Sequence, residues 1–110
     1  MKIYFVAAIS QVGEYGAYYK RIVDELKRRG HEVQYDHVVD RKVEDILGES
    51  DEKKIEYYKQ FLGWVNKSDV VVVEASFPST VHVGHEISIA LEKNKPVIVL
   101  YKKGKSPVFL

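Results

Sequence analysis

Residues 69–101, "DVVVVEASFPSTVHVGHEISIALEKNKPVIVLY", decide the fold. They open on Val70–Val73, and an apolar run with no polar alternation reads as a strand buried on both faces, as in a parallel sheet. A polar loop follows. In "VGHEISIALEKN", Val83, Ile87, Ala90 and Leu91 recur at helical spacing, so they are expected to form the face that packs on the sheet. Lys95-Pro96 ends that helix, because proline cannot continue it. "PVIVLY", residues 96–101, is a second short apolar strand. A strand, a helix and a strand in this order form a crossover between parallel strands, not a hairpin.

The same unit repeats upstream. "IYFVAAI", residues 3–9, is another continuous apolar run and reads as a doubly buried first strand. "SQVGEYG", residues 10–16, reads as a glycine-containing loop. "AYYKRIVDELKRRG" then reads as a helix, with Tyr19, Ile22, Val23 and Leu26 on its inner side and Gly30 as its stop. "HEVQYDHVV", residues 31–39, alternates polar with apolar and suits a second strand nearer an edge. A short helix is expected around Val43 to Leu47. Ser50-Asp51 then opens a further helix, "EKKIEYYKQFLGWVNK", whose stripe is Ile55, Tyr58, Phe61, Leu62 and Val65. After the last strand, "KKGKSPVFL" is a basic turn and an apolar tail. This alternation predicts one α/β domain over residues 1–110. It is doubly wound and flavodoxin- or Rossmann-like, with three layers and a parallel sheet in the order 2-1-3-4.

Composition narrows the function. A net charge of +1 offers no basic field for a nucleic acid polymer or an anionic membrane. The chain has no cysteine, so it carries no disulfide, thiol nucleophile or Cys-ligated metal, which suits a cytoplasmic protein. "MKIYFVAAIS" resembles a short signal peptide in composition, but it runs straight into a polar loop and a helix and is read as the first strand.

In open α/β sheets ligands bind outside the carboxyl ends of the strands, where the strand order reverses. Here that point lies between strands 1 and 3. The loops meeting there carry Ser10, Gly13, Gly16, Asp36, His37, Ser76, Ser79, His82, His85 and Glu86. Gly13-x-x-Gly16 lacks the dinucleotide and P-loop fingerprints; it reads either as a turn or as a phosphate cradle at a helix start. His37 reads equally as a substrate contact or a polar strand-end residue. His82 and His85 form H-x-x-H with no third ligand in view, so no metal is expected. Tyr15, in the loop, is the tyrosine expected to meet a ligand. On a helical wheel Glu86 falls beside Val83 and Ala90, on the flank of the buried stripe. Spacing leaves it open between a catalytic carboxylate and a first-turn residue favoured by the helix dipole.

Four segments resemble the nucleoside 2-deoxyribosyltransferase superfamily, and especially its 2′-deoxynucleoside 5′-monophosphate N-glycosidase branch. They are "IYFVAAIS", "YDHVV", "FLGWVNKSDVVVVEAS" and "PSTVHVGHEISIALEKNKPVIVLY", the last being the most specific. The resemblance implies that Glu86 is the nucleophile, with Tyr4 beside it and Ser79 and Gly84 around a 5′-phosphate. It implies cleavage of the N-glycosidic bond of a (2′-deoxy)nucleoside or its monophosphate, without cofactor, in a homodimer. Base exchange and nucleotide binding without catalysis are the alternatives. Taken with the converging loops, the expected site comprises Glu86, Tyr4 and His37 at the reacting centre and Ala8, Ser10, Gly13, Asp36, Phe61, Ser79 and Gly84 around the substrate. The sequence departs from the family at Phe61, where an aspartate is usual, and in "SQVGEYG", which has no arginine. Asp36, His37 or His85 would then supply the leaving-group acid.

Overall fold

The computed structural model describes residues 1–8, 11–35, 47–78 and 81–107. Four parallel strands, β1 (Lys2–Ala7), β2 (Glu32–Tyr35), β3 (Val70–Glu74) and β4 (Val97–Leu100), form one sheet in the order β2-β1-β3-β4. Among the described residues three helices connect them: α1 (Val12–Arg28), α2 (Asp51–Lys67) and α3 (Val81–Glu92). This is the doubly wound order expected from the sequence.

Strand alternation divides the interior in two. Ile3, Phe5 and Ala7 face α1 and pack with Tyr15, Tyr19 and Val23. Tyr4, Val6 and Ala8 face the other way, onto Phe61 and Val65 of α2 and Val83 and Ala90 of α3. β3 is buried along its whole length and β1 from Ile3 onward, which explains why neither apolar run shows polar alternation. β2 alternates between exposed and half-buried positions, as an edge strand does.

The helix boundaries show which local signals govern. Ser50 caps α2, its side chain accepting a hydrogen bond from the Lys53 N–H at 3.2 Å. Gly30 ends α1 with φ +89°, a left-handed conformation that favours glycine. α1, however, starts at Val12, so Gly13, Tyr15 and Gly16 lie inside a helix and not in the expected loop. Tyr15, Tyr19 and Val23, spaced by four, bury one stripe, and that tertiary gain overrides the weak helix propensity of two glycines. Tyr15 is therefore a buried core residue of a helix and not a loop residue.

α2 and α3 bury less of their expected stripes. On α2 only Phe61 and Val65 are buried; Ile55 and Tyr58, nearer its start, remain exposed. On α3 the buried residues are Val83, Glu86 and Ala90, while Leu91 is exposed. The helix is thus rotated from the expected orientation, and Glu86 occupies the centre of the stripe, not its flank.

Candidate active site

β1 and β3 run side by side to their carboxyl ends, with Ala7 paired to Glu74. From there the sheet extends to β2 on one side and to β4 on the other, so this end is the switch point. α3 follows β3 and delivers Glu86 to the face shared by Tyr4, Ala8 and Phe61. The Glu86 residue is only 2% exposed. Burial of a carboxylate among apolar neighbours is costly unless the charge is matched, so its position calls for a partner.

One such partner stands a turn earlier. His82 Nε2 lies 3.2 Å from Glu86 Oε1, and its side chain is 56% exposed. His85 turns elsewhere. Its Nε2 is 3.0 Å from the Tyr58 hydroxyl of α2, and the two rings stack with centroids 5.9 Å apart. The H-x-x-H pair is therefore split between two different partners. Among the described residues no group of three or more His, Cys, Asp or Glu side chains could hold a metal ion.

Tyr4 is fully buried beneath this site, its ring 5.7 Å from Phe61 and 6.0 Å from Trp64. Phe61 in turn lies 5.7 Å from the Tyr58 ring. The position where the resemblance leads one to expect an aspartate is an aromatic cluster. The structure thus brings Glu86, Tyr4, Ala8 and Phe61 to one face. Gly84 is exposed on α3, and a Cβ added there would meet no atom within 4 Å, so packing within the chain does not demand glycine. Gly13 lies on α1, on the opposite face of the sheet, equally open. Ser10, Asp36, His37 and Ser79 fall outside the described residues, as does most of the short helix expected around Val43.

A second buried carboxylate was not singled out from the sequence. Glu74, at the end of β3, accepts hydrogen bonds from Ser76 N–H at 2.8 Å and Ser76 Oγ–H at 2.9 Å. Ser76 Oγ accepts the Lys102 N–H at 2.8 Å, and the Phe77 N–H donates to the Lys105 carbonyl at 2.7 Å. The loop leading to α3 is thereby fastened to the basic turn after β4. From α1, the Tyr15 hydroxyl donates to the Phe77 carbonyl and the Tyr19 hydroxyl to the Ala8 carbonyl, each at 3.3 Å. Burial first pushes both phenols above their ordinary pKa, reinforced by Glu14 at Tyr15 and by the Glu74 charge at Tyr19, and keeps them neutral donors. The only sequence signal for Glu74 is an acidic residue closing a strand that is otherwise all valine.

The fold is that of the nucleoside 2-deoxyribosyltransferases. The 2-deoxyribosyltransferase of Bacillus psychrosaccharolyticus superposes with a TM-score of 0.69 at 18% identity, over 98% of this chain and 77% of that one. No family model matches the chain. Sequence comparison is more specific. A candidate 2′-deoxynucleoside 5′-phosphate N-hydrolase 1 of Nematostella vectensis is 41% identical over 104 residues, covering 92% of this chain and 67% of that protein. The 5-hydroxymethyl-dUMP N-hydrolase of Rattus norvegicus is 35% identical over 100 residues, covering 91% of this chain and 60% of that protein. The chain belongs to the 2′-deoxynucleoside 5′-phosphate N-hydrolase family. It spans about two thirds of the length of these relatives or less.

Proposed function

We propose that this protein cleaves the N-glycosidic bond of a 2′-deoxynucleoside 5′-monophosphate, giving free base and 2-deoxyribose 5-phosphate. The observation that carries this reading is the buried Glu86 carboxylate, set by α3 at the carboxyl end of the sheet in a chain of the N-hydrolase family. The carboxylate attacks C1′ and the base departs through an oxocarbenium-like transition state. Water then releases the glycosyl-enzyme, with Glu86 as leaving group. Tyr4 supports the nucleophile from below. Phe61 offers the sugar and base an apolar wall in place of a carboxylate. Asp36 or His37 supplies the proton for the departing base. Ser79 and Gly84, with Ala8, Ser10 and Gly13, bind the substrate and its 5′-phosphate. The working unit is a homodimer in the cytoplasm, needing no cofactor.

The test is a panel of deoxynucleosides and their monophosphates, with base release read by chromatography for wild type and Glu86→Gln. Release that stops in the variant supports the reading; no release from any substrate overturns it. Addition of a second free base separates hydrolysis from transfer, since only a transferase yields the exchanged nucleoside. The buried Phe61 favours one further reading, a nucleotide-binding module without turnover. It predicts a thermal shift with monophosphates and no base.

A further inference from the structure

We propose that the basic turn after β4, Lys102-Lys103-Gly104-Lys105, supplies the cations that bind the substrate's 5′-phosphate. The inference rests on a deoxynucleoside 5′-monophosphate being the substrate. A phosphate monoester carries about −1.5 to −2 charges at neutral pH, so its site calls for positive charge. The two segments that leave the central strands offer none: residues 8–19 and 74–92 contain no lysine or arginine. Glu14, Glu74 and Glu86 add negative charge there instead. A phosphate bound at the switch point therefore needs cations from an adjoining strand end.

The turn is fixed beside that gap. Ala7, Glu74 and Leu100 stand in register across β1, β3 and β4. Neighbouring strands lie about 5 Å apart, so the exit of β4 is one such step from β3 and two from β1. Four hydrogen bonds set the chain from there. The Ala75 N–H donates to the Leu100 carbonyl at 2.8 Å, and the Lys102 N–H donates to Ser76 Oγ at 2.8 Å. The Lys105 N–H closes the turn onto the Lys102 carbonyl at 2.8 Å, and the Lys105 carbonyl accepts the Phe77 N–H at 2.7 Å. Gly104 takes φ +83°, the left-handed conformation that glycine gives such a turn. Both ends of the turn are thus bound to the loop that leads into α3, the helix of Glu86.

The three lysines are also available. All are exposed, and among the described residues no carboxylate pairs with any of them. Cations on the helices are engaged instead: Lys20 with Asp24, Arg28 and Arg29 with Glu25, and Lys53 with Glu56. In a nucleotide the 5′-phosphate and C1′ lie on opposite sides of the sugar. A phosphate drawn towards β4 therefore leaves C1′ to Glu86. An ammonium on a flexible four-carbon stem covers the remaining step from a backbone that is itself held still.

The experiment compares wild type with Lys102→Gln/Lys103→Gln/Lys105→Gln and with Arg41→Gln/Lys42→Gln, which removes the cations that follow β2 in sequence. It measures kcat and KM for base release from deoxynucleoside monophosphates, inhibition by inorganic phosphate and by the free deoxynucleoside, and the thermal shift given by inorganic phosphate. The turn variant is expected to raise KM about 10- to 100-fold with kcat nearly unchanged, and to weaken phosphate inhibition in parallel. Inhibition by the deoxynucleoside should persist. The wild-type KM should climb with added salt, and that of the turn variant much less. Unchanged KM and phosphate inhibition overturn the assignment. Equal loss of phosphate and deoxynucleoside inhibition marks a disturbed site and overturns it too, as does a KM rise confined to the Arg41 and Lys42 variant. A wild type that releases no base overturns the N-hydrolase activity itself. The thermal shift then decides separately: present in wild type and lost in the turn variant, it supports an anion site at the turn, whereas a shift in both or in neither overturns it.

Discussion

The carboxylate of Glu74 takes both hydrogen bonds that Ser76 can give, from its N–H at 2.8 Å and its Oγ–H at 2.9 Å. Because Ser76 Oγ simultaneously accepts the Lys102 N–H, one hydroxyl joins a buried charge, the loop into α3 and the turn after β4. Ser76→Ala leaves Glu74 Oε2 and the Lys102 N–H without this partner. The expected cost is about 1–3 kcal/mol, the usual penalty for orphaned buried polar groups, read by urea denaturation. A midpoint equal to wild type would show that water replaces the hydroxyl.

Glu86→Gln is expected to abolish base release without lowering the melting temperature. The amide keeps the volume of the side chain while removing a charge held in an apolar stripe. A scan by circular dichroism alongside the chromatographic assay separates the two effects. An inactive variant that is also unfolded would fail to support a chemical role.

Phe61 touches the rings of Tyr4 and Tyr58, each at 5.7 Å, and is buried. Phe61→Ala is expected to cost about 3–5 kcal/mol, as large-to-small core substitutions of this kind do. Phe61→Asp, which restores the residue usual in the resembling family, should be at least as destabilising, because it places a carboxylate inside an aromatic cluster. A stable Phe61→Asp protein would mean that this pocket admits water.

Glu25 gathers two arginines on the outer face of α1. Arg28 donates at 2.6 and 2.9 Å and Arg29 at 3.0 Å. The Arg28 hydrogen bonds first, then those of Arg29, hold its carboxyl at about 2, against 4.5 ordinarily. A folded pKa below the unfolded one means a contribution present above pH 4.5 and lost as the pH falls towards 2. Glu25→Gln should therefore lower the melting temperature slightly at neutral pH. The gap should close on acidification through that window and shrink with added salt, because the cluster is exposed. A gap independent of pH would point to packing by the glutamate stem.

The sheet was legible because its signals are long and redundant. Val70–Val73 and Ile3–Ala8 could bury both faces only as central parallel strands, and the crossover rule then ordered all four. The start of α1 was not legible, since two glycines resemble a loop and only the burial of Tyr15 against β1 makes them helical. Periodicity placed Glu86 on a flank because it treats charge as outward-facing, whereas α3 turns the carboxylate in and leaves Leu91 out. The contact between His82 and Glu86 was available in principle. Their i, i+4 spacing was the signal, but the eye pairs the two histidines with each other first. The link from Ser76 to Lys102 spans 26 residues, a separation that no local pattern encodes.

α1 carries neither Glu86 nor any of its neighbours, and the sheet stands between them. Yet its two tyrosine hydroxyls hold the Ala8 and Phe77 carbonyls, one on each of the two chain segments that leave the central strands. The helix thus spans the fork in the sheet from behind, as a brace across a split beam. Tyr15→Phe and Tyr19→Phe together would keep both cores filled and cut only the two ties. Any slackening they cause would show how far the spacing of the two segments is set from the side remote from the chemistry.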